Sequence, residues 1–120
     1  RMKGNETFFG DLSWTIEALS NVVKNCIEHT PAGGSIIVSS MENPLYTEIL
    51  IEDNGSGIDQ EDLPHLFERF YRGKNTKEQS YGIGLALARM IISNQNGIIK
   101  AENREERGTR FIIRFYKGAV

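Results

Sequence analysis

The strongest constraint on this chain is that its strand-like runs come in two adjacent pairs, each joined by a short turn. SIIVSSM (35–41) and YTEILIED (46–53) flank Asn43-Pro44, while IIKAEN (98–103) and TRFIIRFY (109–116) flank REERG (104–108). Runs of β-branched and aromatic residues closed by turn residues read as hairpins. Helix-period segments surround them. Leu12, Ile16, Leu19, Val23, Cys26 and Ile27 recur at i, i+4, i+7, i+11, i+14 and i+15, which predicts one long helix with that stripe turned inward. Asp11 is placed to cap it, and Pro31, Gly33 and Gly34 to stop it. GIGLALARMIISNQNG (82–97) predicts a second helix that starts in glycines and ends at Gly97. Asp59 is placed to cap a short helix through Leu66, shortened by Pro64, and TFF (7–9) reads as a short strand. RGKNTKEQSY (72–81) is polar and aperiodic and reads as a mobile loop. The order helix, hairpin, short helix, loop, helix, hairpin contains no βαβ repeat. It predicts an α+β, two-layer α/β sandwich with a mixed, mostly antiparallel sheet and helices on one face.

The bulk numbers narrow the function classes. At 120 residues there is room for a single domain, expected to span 1–120, and for no second one. A net charge of −2 gives no general attraction to nucleic acid. The single cysteine, Cys26, cannot form an internal disulfide and suits a reducing compartment. No apolar run approaches the ~20 residues of a membrane span. The chain opens Arg1-Met2 and is expected to be a piece of a longer protein.

Three stretches carry candidate chemistry. In ILIEDNGSGIDQEDL (49–63) an apolar strand delivers an acid into two glycines. A calcium loop would need oxygen ligands at positions 1, 3, 5 and 12 with glycine at 6. Counted from Glu52, position 12 is Leu63; counted from Asp53, ligand positions fall on Gly55 and Gly57, so neither register works. A carboxylate at the end of a strand can accept a hydrogen bond from an exocyclic amine such as adenine's, and glycines let backbone approach a flat ring. On the long helix, Glu17, Asn21, Asn25, Glu28 and His29 occupy the arc opposite the apolar stripe. Asn21, Asn25 and His29 form one ridge, able to bind a metal–phosphate group without added negative charge. SYGIGLALA (80–88) opens a helix in Gly82 and Gly84, and free N–H groups at a helix start suit phosphate. Arg69, Arg72, Lys74 and Lys77 lie just before it and could close over phosphates. Taken singly, each is equally a surface turn, a solvated helix face, a Gly-rich helix start or ordinary surface charge.

Taken in order, they resemble the catalytic and ATP-binding domain of bacterial sensor histidine kinases, of the superfamily that includes gyrase, the ninety-kilodalton heat-shock chaperone and MutL. EALSNVVKNCIEHTP resembles the N box, DNGSGI the first glycine box, LFERFYRG the F box, YGIGLALA the second glycine box and RGTRF the final glycine-threonine motif. The resemblance implies the Bergerat fold, ATP and Mg²⁺. Asp53 is implied to receive the adenine amine, with Gly55, Gly57 and Ile58 lining the pocket and Thr109 supporting the carboxylate directly or through water. Asn25 is implied to hold Mg²⁺, with Asn21 close by and His29 near the phosphates. Tyr71 and Arg72 end the F box, where the arginine reaches the γ-phosphate. Gly82, Ile83, Gly84 and Leu85 are implied to border the phosphate chain, with backbone N–H groups as donors.

Two departures stand out. Glu28 occupies a position where the family often has Lys or Arg, so a carboxylate faces the presumed triphosphate. Ala86 replaces a frequent glycine, a small change in a helix. The superfamily's hydrolases carry a Glu one turn before the metal asparagine, where this chain has Asn21. Glu17 lies two turns before Asn25, about 12 Å along the axis and too far to serve. The expected function is Mg-ATP binding and γ-phosphoryl donation to a histidine on a separate dimerisation domain, with Asn25 and Arg72 catalytic and a response regulator downstream. Neither His29 nor His65 fits the acceptor role. The alternatives are a nucleotide-dependent interaction module of weak activity, favoured by Glu28, and a hydrolase, set back by Asn21. The isolated piece is expected to be monomeric, and its parent a membrane-anchored kinase with this domain in the cytoplasm.

Overall fold

The computed structural model describes residues 12–71 and 83–118. The short strand expected at 7–9, the Asp11 cap, the 72–81 loop, Arg72 and Gly82 lie outside them. The elements are α1 (Leu12–His29), β1 (Ile36–Glu42), β2 (Tyr46–Asp53), a single 3₁₀ turn (Leu63–His65), α2 (Gly84–Ser93), β3 (Gly97–Asn103) and β4 (Thr109–Tyr116). Both expected hairpins form, and β2 and β4 pair with each other, giving one sheet of order β1-β2-β4-β3. Every pairing among the described residues is antiparallel.

Alternation builds the two layers. On β4, Thr109, Phe111, Ile113 and Phe115 are buried, and the register sets Ile51 opposite Phe111 and Ile99 opposite Ile113. These side chains meet Ala18, Val22 and Cys26 of α1 and Leu85, Ala88, Ile91 and Ile92 of α2 in one core, so both helices cover the same face. The other face carries charge ladders. Arg110 donates to Glu52 at 2.7 Å and to Glu102 at 2.8 Å, and Arg114 donates to Glu48 at 2.8 Å.

Three expectations fail. Of the expected α1 stripe, Cys26 is buried and Leu19 and Val23 pack against the core, but Leu12, Ile16 and Ile27 are 60, 56 and 58 % exposed, and Thr15, Ala18 and Val22 take the remaining buried positions. The buried arc is rotated by roughly one residue, ~100°. Small side chains let α1 sit close to both the sheet and α2, whereas hydropathy spacing singles out the large residues beside them. The short helix after Asp59 is only the 3₁₀ turn, with Pro64 in its first turn and no side-chain cap. α2 stops at Ser93, because Asn94–Asn96 form a turn with Asn96 at φ 62°, and Gly97 begins β3 instead of closing the helix.

Candidate nucleotide site

Antiparallel pairing brings the end of β2, the start of β4 and the end of β3 to one corner of the sheet. Asp53 sits there, 1 % exposed, as an acid that the alternation of β2 points inward. Its Oδ1 accepts from the backbone N–H groups of Gly55 at 2.8 Å and Thr109 at 3.2 Å. Two fixed donors on one oxygen orient the carboxylate. Beneath it lies Cys26, whose thiol pKa is pushed up by burial and then by the neighbouring Asp53 carboxylate to which it hydrogen-bonds. That thiol is inert. The Thr109 hydroxyl is buried with no protein partner.

Backbone crowding holds this corner. A Cβ on Gly55 would fall inside the His29 carbonyl oxygen at the end of α1, so the first glycine box can pass only as glycine. Gly108 combines φ 101° with an approach to the Asp53 carbonyl that leaves no room for a Cβ. It folds the β3–β4 turn down onto the strand end, where Arg104 Nη1 donates to the Asp53 carbonyl at 2.9 Å. Asn103 reaches across to Ile58. Its Oδ1 accepts from the Ile58 N–H at 2.8 Å and its Nδ2 donates to the Ile58 carbonyl at 2.7 Å. Gly57 and Ile58, both partly exposed, thereby form the rim of the corner. Asn103 and Arg104 were invisible as site residues in the sequence, since nothing local marks a contact with a segment 45 positions away. Gly108 was visible only inside the RGTRF motif.

The second part of the site is the flank of α1. Asn21, Asn25, Glu28 and His29 are half-buried. The start of α2 lies against Asn21, because a Cβ on Gly84 would stand 3.8 Å from the Asn21 side chain. α2 has no side-chain cap among the described residues, which leaves its first N–H groups available to a ligand. Ile83 is exposed, and Leu85 turns its side chain into the core, leaving only its backbone for the site. Asn21 Nδ2 and Glu28 Oε1 are buried without a hydrogen-bond partner among the described residues. Orphaned polar atoms of this kind are few in folded proteins, and three of them fall in or beside this site.

Tyr71 is held within its own segment. Its hydroxyl donates to Asp62 and its ring stacks on His65 at 5.1 Å, which braces the segment against itself. The Asp62 hydrogen bond pushes the phenol up to about 12. Phe67 anchors the same segment to the core, edge-on to Phe111 at 6.3 Å. A groove of about 630 Å³ opens between Phe67–Arg69 and α2, and none of the Asp53 or α1 site residues line it.

The donor set suits a nucleotide with its metal. A buried, oriented carboxylate fits an exocyclic amine, the spare Thr109 hydroxyl fits a bridging water, and amide and carboxylate oxygens on α1 fit a hard divalent cation.

Comparison with known proteins agrees. Residues 10–118 match the family described as histidine kinase-, DNA gyrase B-, and HSP90-like ATPase. The sensor histidine kinase YclK of Bacillus subtilis is 40 % identical over 103 residues, covering 82 % of this chain and 22 % of that protein. The sensor histidine kinase YvrG of the same organism is 36 % identical over 109 residues, covering 89 % and 19 %. Among solved structures, the mycobacterial sensor histidine kinase MprB superposes with a TM-score of 0.80 at 27 % identity, over 89 % of this chain and 74 % of that one. The chain thus spans about a fifth of the length of the curated relatives it matches.

Proposed function

Because this chain belongs to the histidine kinase-, DNA gyrase B-, and HSP90-like ATPase family, we propose that it is the ATP-binding catalytic domain of a sensor histidine kinase, one domain of a longer protein, which donates the γ-phosphoryl group of Mg-ATP to a histidine on a separate dimerisation domain. Family membership carries ATP binding and a kinase role in general; the residue assignments and the transfer are our reading. The observation that carries it is the Asp53 corner: a carboxylate 1 % exposed, oriented by two backbone donors and facing a spare hydroxyl, at the mouth of the sheet.

In this reading Asp53 accepts the adenine N–H, the Gly55–Ile58 turn lines the ring, and Thr109 adds a water-borne contact. Asn25 holds Mg²⁺, with Asn21 and His29 beside it and the start of α2 at Gly84 near the phosphates. The metal supplies charge neutralisation across the phosphate oxygens. Arg72 completes the γ-phosphate contacts. Tyr71, at the F-box end, borders the nucleotide, and its bond to Asp62 and stacking on His65 support its segment. Positioning and charge suffice for phosphoryl transfer, so the domain need not form a covalent bond to the phosphoryl group. Asn21 replaces the carboxylate a hydrolase would use to activate water, which disfavours ATP hydrolysis. The response regulator downstream, the cytoplasmic position beside a membrane-anchored parent, and a monomeric state for the isolated chain belong to the same reading. No helix among the described residues is long and apolar enough to cross a membrane.

The test is trans-phosphorylation. Mixed with γ-labelled ATP, Mg²⁺ and the parent's acceptor-histidine domain, the chain labels the acceptor with acid-labile phosphate. Alone it acquires no label and releases phosphate far more slowly than ~1 per second. ATP binding without labelling would favour the interaction module. Rapid turnover by the chain alone would favour the hydrolase.

A further inference from the structure

Resting on the Mg-ATP reading above, we infer that Glu28 is a second protein ligand of the nucleotide's metal ion, acting together with Asn25. The observation is the buried Glu28 Oε1, which has no hydrogen-bond partner and no ion-pair cation among the described residues. Lys24, four residues earlier and the nearest cation on the helix, is exposed and makes no ion pair with it among the described residues. A carboxylate oxygen taken out of water needs a compensating positive charge.

Helix geometry places that need beside the metal asparagine. At 100° per residue, Asn21, Asn25 and Glu28 fall within an arc of about 60°. Asn25 and Glu28, three apart, have Cβ atoms ~5–6 Å from each other, a spacing that lets two side chains meet one ion. The start of α2 lies against Asn21, the other end of the same ridge, so the ridge faces the place assigned to the phosphates. Magnesium takes oxygen ligands, usually one or two from protein plus phosphates and water. Asn25 supplies a neutral amide oxygen and Glu28 an anionic one. The carboxylate that repels a bare triphosphate becomes an attractive group once the ion stands between them. This replaces the simple expectation of weakened ATP binding with a stronger dependence on the metal.

The two accounts differ in sign, and Glu28→Gln separates them. The substitution keeps shape on a half-buried helix position, and an unchanged thermal midpoint confirms that the variant folds. Titration calorimetry with ATP in EDTA should give several-fold tighter binding for the variant, because repulsion is gone. With Mg²⁺ present the variant should bind ATP at least tenfold more weakly than the wild type, and need at least tenfold more Mg²⁺ for half of its maximal effect. Proton relaxation enhancement by Mn²⁺ in the ATP complex should fall in parallel. If Glu28→Gln tightens ATP equally with and without Mg²⁺, the carboxylate only repels and the inference fails. If the variant matches wild type in both conditions, Glu28 faces away from the ion and the inference fails as well. Wild-type protein that binds no ATP in either condition would overturn the nucleotide reading itself, which the wild-type titration shows separately.

Discussion

The two halves of the candidate site are built in opposite ways. At the Asp53 corner the backbone is fixed from several sides, with only the Thr109 hydroxyl left spare: two backbone N–H groups lie on one carboxylate oxygen, an arginine on the strand-end carbonyl, and two glycines press against backbone. Along the α1 flank, Asn21 Nδ2 and Glu28 Oε1 are left without hydrogen-bond partners among the described residues. A flat, neutral ring can be matched by a rigid scaffold before it arrives, since its edge needs a fixed acceptor and a gap. A triphosphate with a dication cannot, because groups that satisfied each other in advance would have to be pulled apart on binding. The corner therefore belongs to the fold, and the flank to the ligand. Substitutions at the first should cost stability or affinity whatever the metal. Those at the second should change how strongly binding depends on the metal.

The largest effect expected is at Gly108. Alanine there meets a left-handed φ of 101° and the Asp53 carbonyl together. Strain and overpacking should destabilise the fold by about 3 kcal/mol or more. Gly55→Ala, which collides with the His29 carbonyl, should be close behind. Urea unfolding measures both. A Gly108→Ala protein as stable as wild type would mean that the corner yields and is no more rigid than the flank.

Next comes Asp53→Asn, which should leave the fold standing while ATP and ADP binding weaken alike, by roughly 1.5–3 kcal/mol. The asparagine oxygen must stay on the Gly55 and Thr109 N–H groups, so its amide turns to the ligand and sets donor against donor. The loss should be the same in Mg²⁺ and in EDTA. Asn25→Ala should do the reverse, leaving metal-free binding intact and removing most of the Mg²⁺ response. Calorimetry with both nucleotides in both conditions tests the contrast. An Asp53→Asn defect that vanishes without Mg²⁺ would collapse the division between corner and flank.

Sequence reading reached the strands of the sheet more easily than the packing of α1 for a physical reason. Period-2 alternation and turn residues define hairpins locally, so both pairs of strands and the acid at the end of β2 were legible. The inward face of α1 was not. Leu12, Ile16 and Ile27 outweigh Ala18 and Thr15 in any hydropathy pattern, yet close packing against α2 selects the smaller residues. The short helix after Asp59 was overestimated because a cap weighs less than Pro64. Asn103 was missed because its partner is brought to it only by the pairing of β3 with β4.

Asn103 offers a smaller test of the same corner. Asn103→Ala removes two hydrogen bonds to Ile58 at an exposed position, so stability should drop by only about 1 kcal/mol. The Gly57–Ile58 rim should loosen more than the rest of the molecule. Hydrogen exchange should accelerate at the Ile58 amide while amides in the middle of β2 and β4 keep their wild-type rates. Uniform acceleration would mean that the clamp supports the whole sheet and does not act on the rim alone.

The smallest effect tests a contact that belongs to neither half. The Tyr71 phenol donates to Asp62, and this bond, ahead of desolvation and the nearby acids, pushes its pKa up to about 12. The neutral phenol is thus the form that the folded state favours. Its contribution is fully present below the unfolded value of about 10 and is lost as pH rises from there through about 12. Tyr71→Phe, subtracted from wild type in an absorbance titration, isolates this phenol from the other three tyrosines of the chain. The difference spectrum should show ionisation well above pH 10, and Asp62→Asn should return it toward 10. Nucleotide affinity at neutral pH should change little in either variant if the hydroxyl is committed to Asp62 and makes no contact with the nucleotide. A midpoint near 10 in the wild type would dissolve the Tyr71–Asp62 brace. A large loss of ATP affinity in Tyr71→Phe would instead return the tyrosine hydroxyl to the nucleotide.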